Sequence, residues 1–170
     1  MSHNRPDSTI HLRHFLAKDG AAIERWPIYP MEFEELDYAL RKDGWITEFQ
    51  DKPDTWIYAA EQSGELIAFT IISMIAPWEA EFRIALRADK AGQGLGEVII
   101  NKTLRIGFDE IGLKRIHLIV RKTNRRAIEL YQRLNFSYCG ECRKMINSRE
   151  IDFFKMEIVR MDFICGHPVV

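Results

Sequence analysis

A strict alternation of apolar and polar residues is clearest between Glu79 and Arg87. Ala80 and Phe82 begin a series in which every second residue is apolar, while Glu79, Glu81 and Arg83 occupy the opposite positions. Successive side chains of a strand point to opposite faces of a sheet, so this period of two predicts a β-strand. We expect one face of the strand to lie in the core and the other to face water.

Two further stretches predict antiparallel hairpins, because each has two runs of β-branched and aromatic residues separated by a short polar turn. A proline ends the second arm of the first hairpin. The predicted arms are Thr55 to Glu61 and Glu65 to Ile75 around Ser63-Gly64, and Phe136 to Lys144 and Glu150 to Met161 around Asn147-Ser148.

Apolar residues recur every three to four positions in the remaining segments, and this period predicts helices. The predicted helices are Ala17 to Arg25, Glu32 to Lys42, Gly94 to Glu110 and Asn124 to Leu134, and the remaining strands are Thr9 to Phe15 and Lys114 to Val120. A helix between two strands of one sheet makes those strands parallel. The order therefore predicts an α/β (α+β) domain with a mixed sheet.

The composition narrows the class of protein. The 170 residues are 46% hydrophobic and 29% charged, which is typical of one globular domain, here residues 1–170 with a core at about 9–162. Three cysteines and no apparent leader segment indicate a reducing, cytoplasmic setting. No apolar run reaches the ~20 residues of a membrane span. With 24 basic and 25 acidic residues, we expect no nucleic acid and no membrane as partners.

The first candidate binding site is the glycine-rich turn between the alternating strand and the predicted helix that starts at Gly94. Its sequence is Lys90-Ala91-Gly92-Gln93-Gly94-Leu95-Gly96. The first N–H groups of a helix have no partner within the helix, and glycines let a backbone approach a phosphate closely. The spacing matches neither a P-loop nor a dinucleotide fingerprint. The turn predicts an anion site; the alternative is that the glycines serve only tight packing of helix on strand.

A second pattern lies in the helix that starts at Asn124. Asn124 and Tyr131 are seven residues apart and share one helical face, with Ala127 and Ile128 between them. Alone, the pattern is weak, because a tyrosine on an apolar stripe is often a core residue with its hydroxyl at the edge.

Together with the glycine turn and with Leu134-Asn135-Phe136, however, this pattern resembles the core motifs of the GNAT superfamily of acyl-CoA-dependent N-acyltransferases, from Ala80 to about Cys139. The resemblance implies a mostly antiparallel central sheet with helices on both faces. It also implies acetyl-CoA as acyl donor, with the pyrophosphate bound by Gln93, Gly94, Leu95 and Gly96 and the pantetheine arm bound at Ala85 and Leu86. Many members have an arginine or glutamine where this chain has Ala91.

The resemblance further implies direct transfer of an acetyl group to a primary amine of a small molecule, peptide or protein. Asn124 would contact the cofactor, and Tyr131 would contact it and act as the general acid that protonates the thiolate. Glu81 is our first choice as general base, with Glu79 or water as alternatives. The alternative function is a non-catalytic, regulatory acyl-CoA-binding module. A homodimer is plausible because the C-terminal hairpin offers an edge for pairing.

Other features carry less information. Cys139 and Cys142 have the spacing of half a zinc site, but no second pair follows in the sequence, so we expect no metal. His117 alternates with apolar residues and is interpreted as an ordinary strand residue. Aromatic and acidic residues between Trp26 and Trp45 would suit a cationic acceptor. The acids there also suit a first helical turn without any ligand.

Overall fold

The computed structural model describes residues 10–166 and, within them, every side chain except that of Glu35. Thr9, the predicted first residue of the first strand, lies outside the described residues. In the described part the strands are β1 Ile10–His14, β2 Thr55–Gln62, β3 Glu65–Ala76, β4 Glu79–Leu86, β5 Arg115–Arg121, β6 Ser137–Ile146 and β7 Arg149–Val159. The α-helices there are α1 Ala17–Ile23, α2 Trp45–Phe49, α3 Leu95–Arg105, α4 Arg125–Arg133 and α5 Arg160–Gly166.

The seven strands form one sheet in the order β1-β2-β3-β4-β5-β7-β6. The pairings of β2 with β1 and with β3 are antiparallel, as are those of β7 with β5 and with β6. β4 and β5 run parallel, with Glu81 opposite His117. The predictions of a mixed, mostly antiparallel sheet and of a parallel helical crossover are confirmed.

Both hairpin turns form where the sequence places them. Ser63 and Gly64 have φ angles of +53° and +78°, and Asn147 and Ser148 have φ angles of +49° and +62°. Two successive positive φ angles are the geometry of a two-residue turn whose twist matches that of the flanking strands.

The described chain folds into two compact units, one of residues 10–73 and 83–103 and the other of residues 74–82 and 104–166. In the first unit, Phe69 and Ile71 of β3 pack with Ile23 of α1 and Phe49 of α2. Residues on the opposite face, among them Ala68, pack with Leu95 and Ile99 of α3. Helices therefore cover both faces of these strands, as expected.

The prediction that one face of β4 is exposed to water is wrong for the second half of the strand. Ala85 is buried with the α1 and α2 cluster. The Arg83 guanidinium lies 4.4 Å from the centre of the Phe49 ring and 5.8 Å from that of Trp45. The short helix α2, which the sequence did not predict, supplies both of these aromatic rings.

The second unit has its core between β5, β7 and the end of the α3 segment, where Ile116, Met156 and Ile158 are buried. The helix predicted to reach Glu110 does so, but Ile106–Glu110 is π-helical. The last strand was predicted to reach Met161, but β7 ends at Val159 because α5 begins at Arg160. The Phe163 ring of α5 packs 5.2 Å from that of Phe108.

The predicted helix from Glu32 to Lys42 is a 3-10 helix spanning Met31–Leu40. Residues three apart share a face in a 3-10 helix and nearly do so in an α-helix, so the pattern alone does not separate the two. In the described part of the chain, no helix has the length and apolar character that crossing a membrane requires.

Candidate functional site: the glycine turn and the tyrosine helix

The glycine turn lies at the surface of the first unit, directly before α3. Gly92 and Gly94 have φ angles of +83° and +75°, and residues Ala91 to Gly94 are all exposed. A Cβ built at Gly94 would meet no atom within 4 Å. The turn is therefore an open surface beside the first N–H groups of α3, which have no helical partner. Such a surface favours an anion.

Two residues fix this turn from its flanks. The Gln93 side-chain amide donates a hydrogen bond to the Asp89 carbonyl, with an N···O distance of 3.1 Å. Leu95 is 3% exposed and packs in the core under α3. Of these two predicted cofactor-binding residues, Leu95 can offer a ligand only its backbone.

The basic side chains next to the turn are held by acids. Arg87 donates to Asp89 at 2.6 Å and to Glu65 at 2.8 Å, and these hydrogen bonds lower the pKa of both carboxyl groups. The Lys90 amine lies 3.6 Å from the Glu65 carboxylate. Ala91 adds no charge, so the turn itself offers an anion mainly its backbone N–H groups.

The end of β4 has a partner that the sequence did not reveal. The Tyr29 hydroxyl donates a hydrogen bond to the Leu86 carbonyl, across 57 positions of sequence. Burial raises the pKa of Tyr29 to about 12, so the hydroxyl keeps its proton and acts as the donor. The Tyr29 N–H in turn donates to Asp37, which also accepts from Arg41. Tyr29 belongs to the aromatic and acidic segment that the sequence linked to the acceptor, and in the structure its hydroxyl binds the end of β4.

In the second unit, Asn124 and Tyr131 lie at the start and near the end of α4. The Asn124 Oδ1 accepts the Ala127 N–H at 3.2 Å and so caps the helix. Tyr131 is 9% exposed, with its ring 5.6 Å from that of Phe136 in an edge-on contact. Burial raises the pKa of Tyr131, so its hydroxyl is protonated at neutral pH.

The two candidate base residues have different surroundings. The Glu79 carboxylate lies 2.8 Å from His117 Nε2 and 3.9 Å from Arg115. Glu81 is half-buried and lies opposite His117 in the β4–β5 register. His117, interpreted from the sequence as an ordinary strand residue, is thus part of a polar cluster. Strand register placed it there, and no local pattern could have indicated the contact.

Each unit brings together part of the predicted set. The first holds Ala85, Leu86 and Gln93 to Gly96, and the second holds Glu81, Asn124 and Tyr131. Within the first unit, the strand end and the glycine turn flank the short 3-10 turn Ala88–Lys90. That arrangement places the first N–H groups of α3, which have no partner within the helix, after a strand end, as a phosphate-bearing ligand requires.

Comparison with solved structures places the fold. The spermidine/spermine N-acetyltransferase SpeG from Vibrio cholerae, solved in complex with manganese ions, has a TM-score of 0.75 and 23% identity, covering 95% of this chain and 98% of that chain. A dodecameric structure of the spermidine N-acetyltransferase from Vibrio cholerae has a TM-score of 0.73 and 24% identity, covering 92% and 97%. At these identities the likeness shows the fold alone.

Sequence comparison adds curated relatives and the family. The spermidine N(1)-acetyltransferase of Escherichia coli (strain K12) is 31% identical over 90 residues, or 52% of this chain and 48% of that protein. The enzyme of that name from Vibrio cholerae serotype O1 is 30% identical over 87 residues, half of each chain. The match thus spans about half the length of these relatives. The profile of the acetyltransferase (GNAT) family, in contrast, matches residues 19–136, well over half of this chain. The resemblance seen in the sequence is thereby confirmed, and the chain belongs to the GNAT family of acetyltransferases.

Proposed function

We propose that this protein is an N-acetyltransferase that transfers the acetyl group of acetyl-CoA directly to a primary amine. The observation that carries the proposal is the exposed turn with left-handed glycines, Gly92 and Gly94, before α3 in a chain that belongs to the GNAT family. Acetyltransferases of this family take their acyl group from acetyl-CoA, whose thioester supplies an activated acetyl group. We propose further that the chain acts as a single domain, with its core at about 9–162.

The backbone N–H groups from Gln93 to Gly96 would bind the pyrophosphate. The open space around Gly94 fits this role, because a side chain would fill the volume that the phosphate needs. Arg87 and Lys90 are already paired with acids, so the positive end of the α3 dipole supplies much of the attraction. The backbone of Ala85 and Leu86 would bind the pantetheine arm.

Tyr131 would be the general acid, and the rise in its pKa on burial determines whether it transfers its proton fully or donates a hydrogen bond. A thiol has a pKa of about 8.5 and a tyrosine a pKa of about 10, so complete transfer of the proton from tyrosine to thiolate is uphill by about 2 kcal/mol. Burial raises the pKa of Tyr131 further. We therefore expect the hydroxyl to stabilise the thiolate mainly by donating a hydrogen bond as the carbon–sulfur bond breaks. Asn124, whose Oδ1 caps α4, has its amide N–H₂ left for a cofactor contact.

The acceptor amine must lose a proton before it attacks. An amine with a pKa of about 10.4 loses it at pH 7 at a cost of about 4 to 5 kcal/mol, so a base or a desolvated site is needed. Glu81, our first choice from the sequence, is proposed as that base; it is half-buried on β4 and lies opposite His117.

The proposed acceptor class is a polyamine. The support is that curated relatives at 30–31% identity are spermidine N(1)-acetyltransferases. Within this chain, Asp37 is paired with Arg41 and Trp45 packs on Phe69, whereas Glu32 and Glu34 are exposed in the same segment. Exposed carboxylates attract a multiply charged amine. We assign this role to Glu32 and Glu34, in the first turn of the 3-10 helix, as part of the proposal.

We also propose that the protein self-associates. The predicted homodimer is the smallest such assembly, and a structural neighbour forms a dodecamer. Light scattering on the purified protein measures the number of chains directly.

Acetylation of a mixed set of acceptors tests the proposed function. The purified protein is incubated with acetyl-CoA and with spermidine, lysine-containing peptides and free amino acids, while free thiol and added acetyl mass are followed. We expect thiol release above the hydrolysis background, with acetylated spermidine as the main product. Acetylation of a peptide alone would retain the transferase and overturn the polyamine proposal. Binding of acetyl-CoA without turnover on any acceptor would favour the regulatory module, and absence of binding would overturn the assignment of the glycine turn.

A further inference from the structure

We propose that His117, Cys139 and Glu157 form a binding site for a zinc-class divalent cation, although the sequence predicts no metal. One ligand atom from each of the three side chains lies within 4.8 Å of the other two. The residues come from β5, β6 and β7, and all belong to the second unit. The site does not use the Cys139 and Cys142 spacing, and it is independent of the proposed acetyl transfer.

The register of three strands brings these residues together. His117 of β5 is directly opposite Glu157 of β7, and Ser137 of β6 is opposite Glu157 on the other side. The β6–β7 register shifts between Tyr138 and Gly140, so Cys139 is an extra residue without a partner in the ladder.

This bulge is what directs the thiol toward Glu157. A bulge re-aims the side chain of the extra residue. Gly140, directly after Cys139, has a φ angle of +148°, a conformation that side chains other than hydrogen rarely adopt. The backbone geometry of Cys139 and Gly140 therefore places the thiol beside the side chains of His117 and Glu157, which are opposite each other on β5 and β7.

The imidazole of His117 is oriented as a metal ligand. Its Nε2 lies 2.8 Å from the Glu79 carboxylate, and its Nδ1 lies 3.6 Å from Glu157 Oε2. In the tautomer with its proton on Nε2, the Glu79 carboxylate accepts a hydrogen bond from that N–H, and the lone pair of Nδ1 is available to a metal ion on the side of Glu157. This carboxylate–histidine pairing is the usual outer-shell arrangement behind metal-bound histidines.

The distances and the donor set fit zinc. Tetrahedral bonds of about 2.0 Å to nitrogen and oxygen and about 2.3 Å to sulfur separate the ligand atoms by about 3.3 to 3.6 Å. The 3.6 Å between His117 Nδ1 and Glu157 Oε2 is about 0.3 Å longer than the nitrogen–oxygen spacing, and the separations to sulfur, which are at most 4.8 Å, need a contraction of at most about 1.2 Å. An imidazole, a thiolate and a carboxylate leave the fourth position to water.

Charge also balances at this site. The Cys139 thiol releases its proton to solvent on binding, so a thiolate and a carboxylate neutralise a doubly charged cation. Arg115 now donates to Glu157 Oε2 at 3.0 Å and would have to give up this contact. Its side chain is 41% exposed, and an ion pair so exposed contributes little. Arg115 keeps a second acid nearby in Glu79, at 3.9 Å.

Titration of the metal-free full-length chain with Zn²⁺ and with Co²⁺ tests the site. We expect one ion per chain by calorimetry, and a thiolate-to-cobalt charge-transfer band in the Co²⁺ complex. Cys139→Ser should remove the band and weaken Zn²⁺ binding at least about tenfold. Cys142→Ser is the matched control, since Cys142 is on the same strand but outside the cluster, and it should change neither.

A second variant separates ligation from a loss of folding. Glu79→Ala keeps all three ligands but removes the carboxylate behind His117, and it should weaken Zn²⁺ binding about 10- to 100-fold while the cobalt band persists. Circular dichroism before titration confirms that each variant is folded. An unchanged Zn²⁺ affinity in a folded Cys139→Ser or His117→Ala variant, or a loss of affinity in Cys142→Ser, would overturn the proposal.

Discussion

The role of the glycine turn can be tested with a pair of matched substitutions, Gly94→Ala and Gly64→Ala. The two glycines have φ angles of +75° and +78°, and at neither position would a Cβ meet an atom within 4 Å. The cost of each alanine is therefore the left-handed backbone alone, about 1 to 2 kcal/mol. For a chain of this length each kcal/mol lowers Tm by about 2 to 4 °C, so both variants should lose about 2 to 8 °C.

Ligand binding should separate the two variants. If the turn binds pyrophosphate, the new Cβ at Gly94 occupies the space that a phosphate oxygen needs and at least one charged hydrogen bond is lost. Such a bond contributes about 1.5 to 3 kcal/mol, so the Kd for coenzyme A should rise about 10- to 150-fold. Gly64 lies in the β2–β3 turn, and Gly64→Ala should leave the Kd unchanged.

The assay combines calorimetric titration of coenzyme A with thermal unfolding of the same samples. Equal losses of affinity in both variants would mean that destabilisation, not the phosphate contact, weakens binding. An unchanged Kd for Gly94→Ala, with the expected loss in Tm, would refute the assignment of the turn.

Two further predictions concern the tyrosine and the buried ion pair. Tyr131→Phe should lower kcat about 100- to 1000-fold with little change in KM for acetyl-CoA, because the lost hydrogen bond forms as the thiolate departs. The control variant Tyr138→Phe should keep wild-type steady-state rates. Asp19 is 3% exposed and accepts two hydrogen bonds from Arg13, at 2.7 and 2.9 Å, and Arg13 also donates to Glu61. Asp19→Asn should therefore lower the free energy of unfolding by about 2 kcal/mol at pH 7. The Arg13 hydrogen bond lowers the pKa of Asp19, so this stability is present above the unfolded pKa of about 4 and is lost as pH falls below it. Urea unfolding of both proteins should show the difference at pH 7 and a smaller one at pH 3, and an equal difference at both would contradict the assigned cause.

The local pattern of residues was sufficient for much of the fold. Strand β4 follows from a period of two, and the turns at Ser63-Gly64 and Asn147-Ser148 follow from residue types that tolerate positive φ. These features depend on neighbours within a few positions. The sequence therefore determined the order of the main elements, the mixed sheet and the family.

Two short helices, α2 and α5, escaped sequence reasoning. Helix α2 spans only five residues, too few to show a period, and it is fixed by packing of its aromatic side chains on Phe69 and Arg83. Helix α5 depends likewise on the contact of Phe163 with Phe108. Tertiary packing stabilises such segments more than their own propensity does.

Some features of the candidate site could likewise be predicted from the sequence, and others could not. The glycine turn and the Asn124 and Tyr131 pair were visible in the sequence, because a backbone conformation and a helical face are local properties. The contacts of Tyr29 with Leu86 and of Glu79 with His117 join distant positions, and the bulge at Cys139 changes which side chains share a row. A shift of one residue in strand register moves a side chain to the opposite face, so only the tertiary structure decided these partners.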